Sequence, residues 1–385
     1  MATYLTHATI ILSDQMLDDG SLLIEDGAIA AINPVHADAD QEIDLHGAFL
    51  MPGLIDLHCD ALEKEVEPRP NVYFPIRFAL READKRNVMA GITTPFHALS
   101  FAGEELGVRS NEFAAKIAQF IHSMSDGLFV DHRVHCRYEI TDLQGLELLI
   151  TLIDRGVVDL ISFMDHTPGQ GQFRKAGTYE TYLRNTYKKS VDEAQHIVTQ
   201  KQVNQPGARE RVKRLAEKAR HGAIPLASHD DDSPERIQWT SRLGVCISEF
   251  PINLETAQAA KKTGVKTMFG APNILRGQSQ SGSMLALDGV EHNVIDVLCS
   301  DYHPGALLPA VFRIAETSSW TLPEAVALVT RNPAQAAGMH GFGSIEPGKR
   351  ADLIAVHKPG KYPRISSLWV NGRIVWTKNL DEVTK

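Results

Sequence analysis

Cysteine is scarce: four in 385 residues, at positions 59, 136, 246 and 299, widely spaced and without a Cys-x-x-Cys pair. That spacing argues against a structural zinc ribbon or a disulfide scaffold, and reduced buried thiols are expected. Long apolar runs are missing too, since no window approaches the ~18 residues that a membrane span requires. The first residues, Met-Ala-Thr-Tyr-Leu-Thr-His-Ala, lack the basic and apolar regions of a secretory leader, so the cytoplasm is the expected location. Positive charge is in deficit, with 39 Lys and Arg against 48 Asp and Glu and a formal net charge of −9. This balance argues against nucleic acid and anionic membrane as partners. A small, highly anionic substrate would need a locally basic pocket.

What is present is 43% hydrophobic and 23% charged, enough chain for one barrel of about 250 residues and a smaller appendage. The first fifty residues carry the runs Ala8-Thr9-Ile10-Ile11-Leu12, Ser21-Leu22-Leu23-Ile24-Glu25 and, after Asp26-Gly27, Ala28-Ile29-Ala30-Ala31-Ile32. Alternation on both sides of Asp-Gly predicts a β-hairpin. The tail resembles it, with strand-like runs before and after Asn371-Gly372. Matching ends predict one small β-sandwich built from both termini, residues 1–50 and 344–385, around a barrel at 51–343 with an insertion at about 167–223.

Between those ends, apolar strand-like runs alternate with helical stretches, which predicts an α/β fold: a (β/α)8 TIM barrel whose C-terminal strand ends carry the site. Eight strands are expected to end near His58, His97, Glu139, His166, His229, Glu249, Asn273 and Asp301. His58 and Asp60 are two apart, so on a strand they share a face. With Glu139, His166, His229 and Asp301 they form a mix of imidazoles and carboxylates that suits Zn²⁺ or Mn²⁺. Any one of these histidines alone reads more often as a satisfied core residue than as a ligand; gathered at strand ends, the set reads as a centre for two metal ions, with a carboxylate such as Glu139 between them.

Roughly fifty residues separate the fourth and fifth strands, far more than the 2–6 of an ordinary connection. Their first part, Gly169-Gln170-Gly171-Gln172-Phe173-Arg174-Lys175, reads either as a lid or as a solvated surface insertion. Helical stretches follow at 178–202 and 208–220, the second with Val212, Leu215, Ala216 and Ala219 as its apolar stripe. Candidate substrate-binding cations are Lys64 and Arg69 after strand one, Arg137 before Glu139, Arg174 and Lys175 in the insertion, and Arg276. Arg276 precedes the Gly/Ser segment 277–283, which reads as a phosphate-wrapping loop or a plain turn. Its place after strand seven favours the former.

Pro52-Gly53-Leu54-Ile55-Asp56-Leu57-His58, Ser300-Asp301-Tyr302-His303, Asn332-Pro333-Ala334 and Gly348-Lys349-Arg350-Ala351-Asp352-Leu353 resemble the amidohydrolase superfamily over nearly the whole chain. The resemblance implies a distorted (β/α)8 barrel, water activated by one or two divalent ions, and Asp301 as the acid/base. A narrower set resembles the amidohydrolases of phosphonate degradation: Leu62-Glu63-Lys64, Pro68-Arg69-Pro70, Met164 to Phe173, Ser228-His229-Asp230-Asp231 and Gly270 to Gly277. It implies a metal-dependent diphosphatase that releases pyrophosphate from α-D-ribose 1-methylphosphonate 5-triphosphate. Two ions are expected, zinc first, with manganese, iron or nickel as alternatives. Analogy with sugar-phosphate deacetylases implies Glu139 as the bridging ligand.

Three positions depart from the superfamily pattern: Asp60 stands where many members have a second histidine, His166 ends strand four, and Glu249 ends strand six where histidine is common. A related activity on a C–N bond, as in a deacetylase, cyclic amidohydrolase or deaminase, is the alternative within enzymes. A catalytically silent scaffold is the alternative outside them. Oligomeric state is left open, a homo-oligomer included.

Overall fold

In the computed structural model, residues 2–69, 71–103, 110–124, 127–173, 177–187, 189–279 and 283–378 are described. The alternating N-terminal runs form β1 (Ala2–Ile11), β2 (Met16–Glu25), β3 (Ala28–Ile32), β4 (Gln41–Asp44) and β5 (Phe49–Pro52). Eight further strands follow: β6 (Leu54–Cys59), β7 (Ile92–Phe101), β8 (Arg133–Glu139), β9 (Leu160–Met164), β10 (Leu226–His229), β11 (Val245–Glu249), β12 (Lys266–Gly270) and β13 (Val297–Cys299). The tail gives β14 (Leu353–His357), β15 (Arg364–Val370) and β16 (Arg373–Thr377).

Both termini build one β-domain. Its strands run β16-β15-β14-β5-β1-β2-β3, with β4 beside β1, and the two ends of the chain join where Met51 pairs with Ile354 across β5 and β14. They share a core that includes Leu5, Ile10, Leu22, Ile24, Leu353 and Trp369. The sheet is thus continuous through the β5–β14 pairing. Both hairpin turns need positive φ at their two central residues, which Asp26 (48°) and Gly27 (83°), then Asn371 (51°) and Gly372 (73°), supply. These turns lie on each other. A Cβ at Gly27 would fall 2.6 Å from Asn371 Oδ1, and one at Gly372 would fall 2.9 Å from the Gly27 Cα.

β6 to β13 pair in sequence order, all parallel, as the interrupted apolar runs predict. Closure comes from a bridge between Cys59 and Asp301, in which Asp301 N–H donates to the His58 carbonyl (3.0 Å) and Asp60 N–H donates to the Asp301 carbonyl (2.7 Å). The two ends of the barrel sequence therefore meet at three of the predicted site residues. Ile55, Leu57, Phe96, Leu160, Ile247 and Met268 belong to one apolar cluster, joined by Ala334 of the Asn-Pro-Ala motif. Asn332 of that motif donates to the Asp296 carbonyl at 2.8 Å, so it fastens the chain after the last barrel helix.

Two expectations shift in detail. β7 continues beyond His97 to Phe101, and His97 Nε2 lies 2.7 Å from His132 Nδ1, whose Nε2 is 3.0 Å from Asp84. This buried His-His-Asp chain is separate from the other strand-end groups. The insertion also divides: the helices Thr178–Tyr187 and Val191–Asn204 pack with Phe173 around their own small core of Tyr179, Leu183, Ala194, Ile197 and Val198. By contrast, Ala208–His221 buries Val212, Leu215, Ala216 and Ala219 in the main cluster outside the barrel. It is an ordinary barrel helix, and its amphipathic stripe is what places it there.

Candidate active site

His58, Glu139, His229 and Glu249 lie at or next to the last residues of their strands, while Asp60, His166, Asp230 and Asp301 follow within two residues. Three turns out of these strands are strained, since Asp230, Phe250 and Asp301 have φ of 54°, 54° and 55°. A left-handed backbone is unfavourable for side-chain-bearing residues and collects at functional sites. Here it bends the chain sharply at the strand ends, where the polar side chains gather.

The side chains converge in three overlapping groups whose ligand atoms lie within 4.8 Å of one another: His58, His229 and Glu249; His166, His229 and Asp230; His58, Asp60 and Asp301. His58 Nδ1 is 3.3 Å from Glu249 Oε2, and its Nε2 is 3.5 Å from Asp60 Oδ1. Arg137 reaches Asp60 at 3.2 Å and donates from Nη2 toward His229 Nε2 at 3.2 Å. His229 Nδ1 stands 3.1 Å from Asp230 Oδ2.

These atoms fit a divalent cation. His58 Nδ1, His229 Nδ1 and both Glu249 oxygens are buried, in residues whose ligand atoms converge, yet none makes a hydrogen bond of acceptable geometry. Buried polar atoms are rarely left so. Converging nitrogen and carboxylate donors that do not satisfy each other are what a Zn²⁺-like ion would satisfy.

Electrostatics point the same way. Burial would lower the His58 pKa, but Glu249 and Asp60 outweigh it and push it up to about 10. Burial would raise Glu249, yet His135 and His58 bring it down to about 2. His135, buried with its Nδ1 3.0 Å from the Leu57 carbonyl, falls to about 3. Burial, then Asp60, push Asp301 up to about 7. The His58 proton is therefore present at neutral pH in the cation-free protein, and a metal that binds through this ring must displace it. Cation binding at pH 8 is expected to release about one proton from His58, so affinity should rise about tenfold per pH unit below its pKa. Calorimetry in buffers of different ionisation enthalpy measures this, and uptake of no compensating heat would disprove it.

The six predicted donors are distributed unevenly. His58, Asp60, His166, His229 and Asp301 belong to the converging groups, whereas Glu139 does not. Glu139, expected as a bridge, lies against Lys201 (Nζ to Oε2, 3.0 Å) and His166 (3.3 Å). Glu249 and Asp230 enter the groups without having been chosen from sequence. Glu249 ends its strand like the others, at a position where the superfamily often has histidine, and Asp230 directly follows His229. Lys201 is not among the sequence-predicted residues; its sequence signal is a lysine on the apolar stripe Ala194, Ile197, Val198, Lys201.

A cavity of about 470 Å³ opens over the cluster, lined among others by His58, Asp60, Arg137, Tyr182, Asp230, Asn273, Arg276, Asp301 and Tyr302. Of the predicted cations, Arg137 and Arg276 line it. Arg276 Nη1 lies 3.3 Å from the Tyr302 hydroxyl, and Lys64 Nζ sits 5.6 Å from the centre of the same ring. Arg69 is exposed and does not line the cavity. Arg174 and Lys175 lie outside the described residues. Asp60, Asp230 and Asp301 oppose the two arginines, so the lining accepts a polyanion only with added positive charge. No helix among the described residues is long and apolar enough to cross a membrane.

A family model described as the amidohydrolase family matches residues 49–377. The chain is 36% identical to alpha-D-ribose 1-methylphosphonate 5-triphosphate diphosphatase of Escherichia coli (strain K12), over 97% of this chain and 100% of that one. It is 25% identical to imidazolonepropionase of Geobacillus thermodenitrificans (strain NG80-2), over 91% of this chain and 86% of that one. Among solved structures, N-acetylglucosamine-6-phosphate deacetylase from Pasteurella multocida shares the fold with a TM-score of 0.64 at 15% identity, covering 97% of this chain and 99% of the other.

Proposed function

The chain belongs to the amidohydrolase family and is a hydrolase, and from that premise we propose that it releases pyrophosphate from α-D-ribose 1-methylphosphonate 5-triphosphate. The observation that carries the reading is Arg276, placed by the short helix Ala271–Arg276 after β12 in the same cavity as the His58–His229–Glu249 cluster. Phosphate sites of TIM barrels favour this region. The 36% identity along the whole length of the Escherichia coli diphosphatase supports the substrate.

His58, Asp60, His229, Glu249 and Asp301 would hold a divalent ion, with zinc as the first choice by donor type. Such an ion, when bound, supplies positive charge for phosphoryl oxygens and acidifies a water. The protein's own groups do the rest. Arg137 and Arg276 bind phosphate oxygens, the bidentate geometry of guanidinium suiting this task. Asp301 accepts the proton of the attacking water at its carboxylate. Water adds to a phosphorus of the triphosphate, the P–O bond to pyrophosphate breaks, and the arginines hold the departing charge. Tyr182 and Phe173 of the insertion wall the cavity and limit bulk water.

Phosphorus NMR of the metal-supplemented protein with this triphosphate, beside a chelated control, tests the reading. Metal-dependent appearance of pyrophosphate and a 5-phosphate is expected; an unchanged triphosphate spectrum with every divalent metal would reject it. Charge reversal separates the alternatives. Arg276→Glu should lower kcat/KM for the triphosphate by about 10²-fold or more, mostly through KM, because a charge-assisted phosphate contact becomes a repulsion. A hydrolase of neutral C–N substrates would scarcely respond to the same change.

A further inference from the structure

We propose that the ammonium of Lys201, rather than a metal ion, is the cation that Glu139 serves. The inference rests on the site binding a divalent ion and is independent of its substrate.

The two strand-end glutamates differ in what surrounds them. Both Glu249 oxygens lack hydrogen bonds. Glu139 is hydrogen-bonded at both oxygens: Oε1 accepts from the Thr141 hydroxyl at 2.9 Å and Oε2 from His166 N–H at 3.2 Å, and Oε2 also forms an ion pair at 3.0 Å with Lys201 Nζ, an ammonium with no hydrogen bond of good geometry. Lys201 comes from the insertion helix Val191–Asn204 and has a side chain only 7% exposed. Its ammonium makes no other ion pair among the described residues, though it lies 5.4 Å from the Tyr179 ring centre. An ammonium buried this way needs its carboxylate, and a carboxylate so occupied is a poor metal ligand.

A dication recruited by Glu139 would have to displace the ammonium from its one described ion pair, or remain beside a like charge. The insertion thus contributes a fixed positive charge to the mouth of the barrel. Glu139 then acts as a positioning residue, holding His166 through its backbone N–H and its Nδ1, the latter at 3.3 Å. Its charge is used within the protein.

Metal content after stripping, reloading with Zn²⁺ and desalting the full-length protein tests the proposal, read by plasma mass spectrometry without substrate. Lys201→Gln should gain one equivalent over wild type, and Lys201→Arg should not. The pair Glu139→Gln/Lys201→Met removes both charges together, avoids leaving either buried alone, and should keep the wild-type content. Loss of one equivalent in that pair, or no gain in Lys201→Gln, would overturn the proposal. The phosphorus NMR outcome would be unaffected by either result, so the two readings fail separately.

Discussion

Asp301→Asn is expected to lower kcat by about 10²–10⁴-fold, the range for loss of a general base, while the protein stays folded. The backbone of Asp301 closes the barrel through hydrogen bonds with His58 and Asp60, and these survive a side-chain change. The side chain is a different matter. Burial and the nearby Asp60 push its carboxyl up to about 7, so ionised Asp301 is disfavoured in the folded, cation-free protein. A carboxyl with a raised folded pKa contributes stability fully below its unfolded value, and that contribution fades as pH rises through the folded value. Asn, isosteric and uncharged, removes this source of instability at neutral and alkaline pH. Circular dichroism melting should therefore show the chelated variant no less stable than the wild type at pH 8. In the wild type, activity should fall as acid protonates Asp301, from a midpoint that a bound cation moves below the cation-free value. Full turnover in the Asn variant would remove Asp301 from the mechanism.

Glu249→Gln is expected to have the other large effect, on metal retention. In the cation-free protein Glu249 is held ionised at about 2, flanked by His58 at 3.3 Å and His135 at 3.5 Å. Gln keeps the shape and removes the charge. His58 then loses its principal counter-charge in a buried site, a change that costs about 3–5 kcal/mol when an ion pair loses one partner. Loss of the His58 proton limits that cost. Metal affinity should fall by about 10²-fold or more, beyond the upper range for changes to outer-shell partners, because Glu249 offers its own oxygens. Dialysis against graded chelator measures it. Wild-type retention in this variant would show that Glu249 only orients His58 and does not face the ion.

The contrast between Glu249 and Glu139 shows how far local sequence reached. Both end strands, and the period of two places both on the same face as their neighbours two residues back, as with Arg137 and Glu139. Nothing local distinguishes a carboxylate that faces the histidine cluster from one paired with a lysine. That depended on Lys201, which is delivered by a helix some sixty residues further along, and on how the small core of the insertion packs. A similar limit applied to His97. Its strand was legible, but the strand's extra length and the packing of Asp84 and His132 decided that the ring would complete a structural hydrogen-bond chain.

By itself, the sequence determined the alternation of strands and helices, both Asx-Gly hairpins, the shared β-domain of the two termini, and polar residues at the strand ends. Each follows from short-range periodicity or from the φ that a turn demands, and these need no knowledge of distant partners. Tertiary structure decided which strand-end residues meet. Closure of β13 on β6 joined Asp301 to His58 and Asp60, β11 set Glu249 against His58, and the insertion put Lys201 on Glu139. Pairing and charge neutralisation across a barrel depend on register and burial, and these exist only once the whole chain is folded.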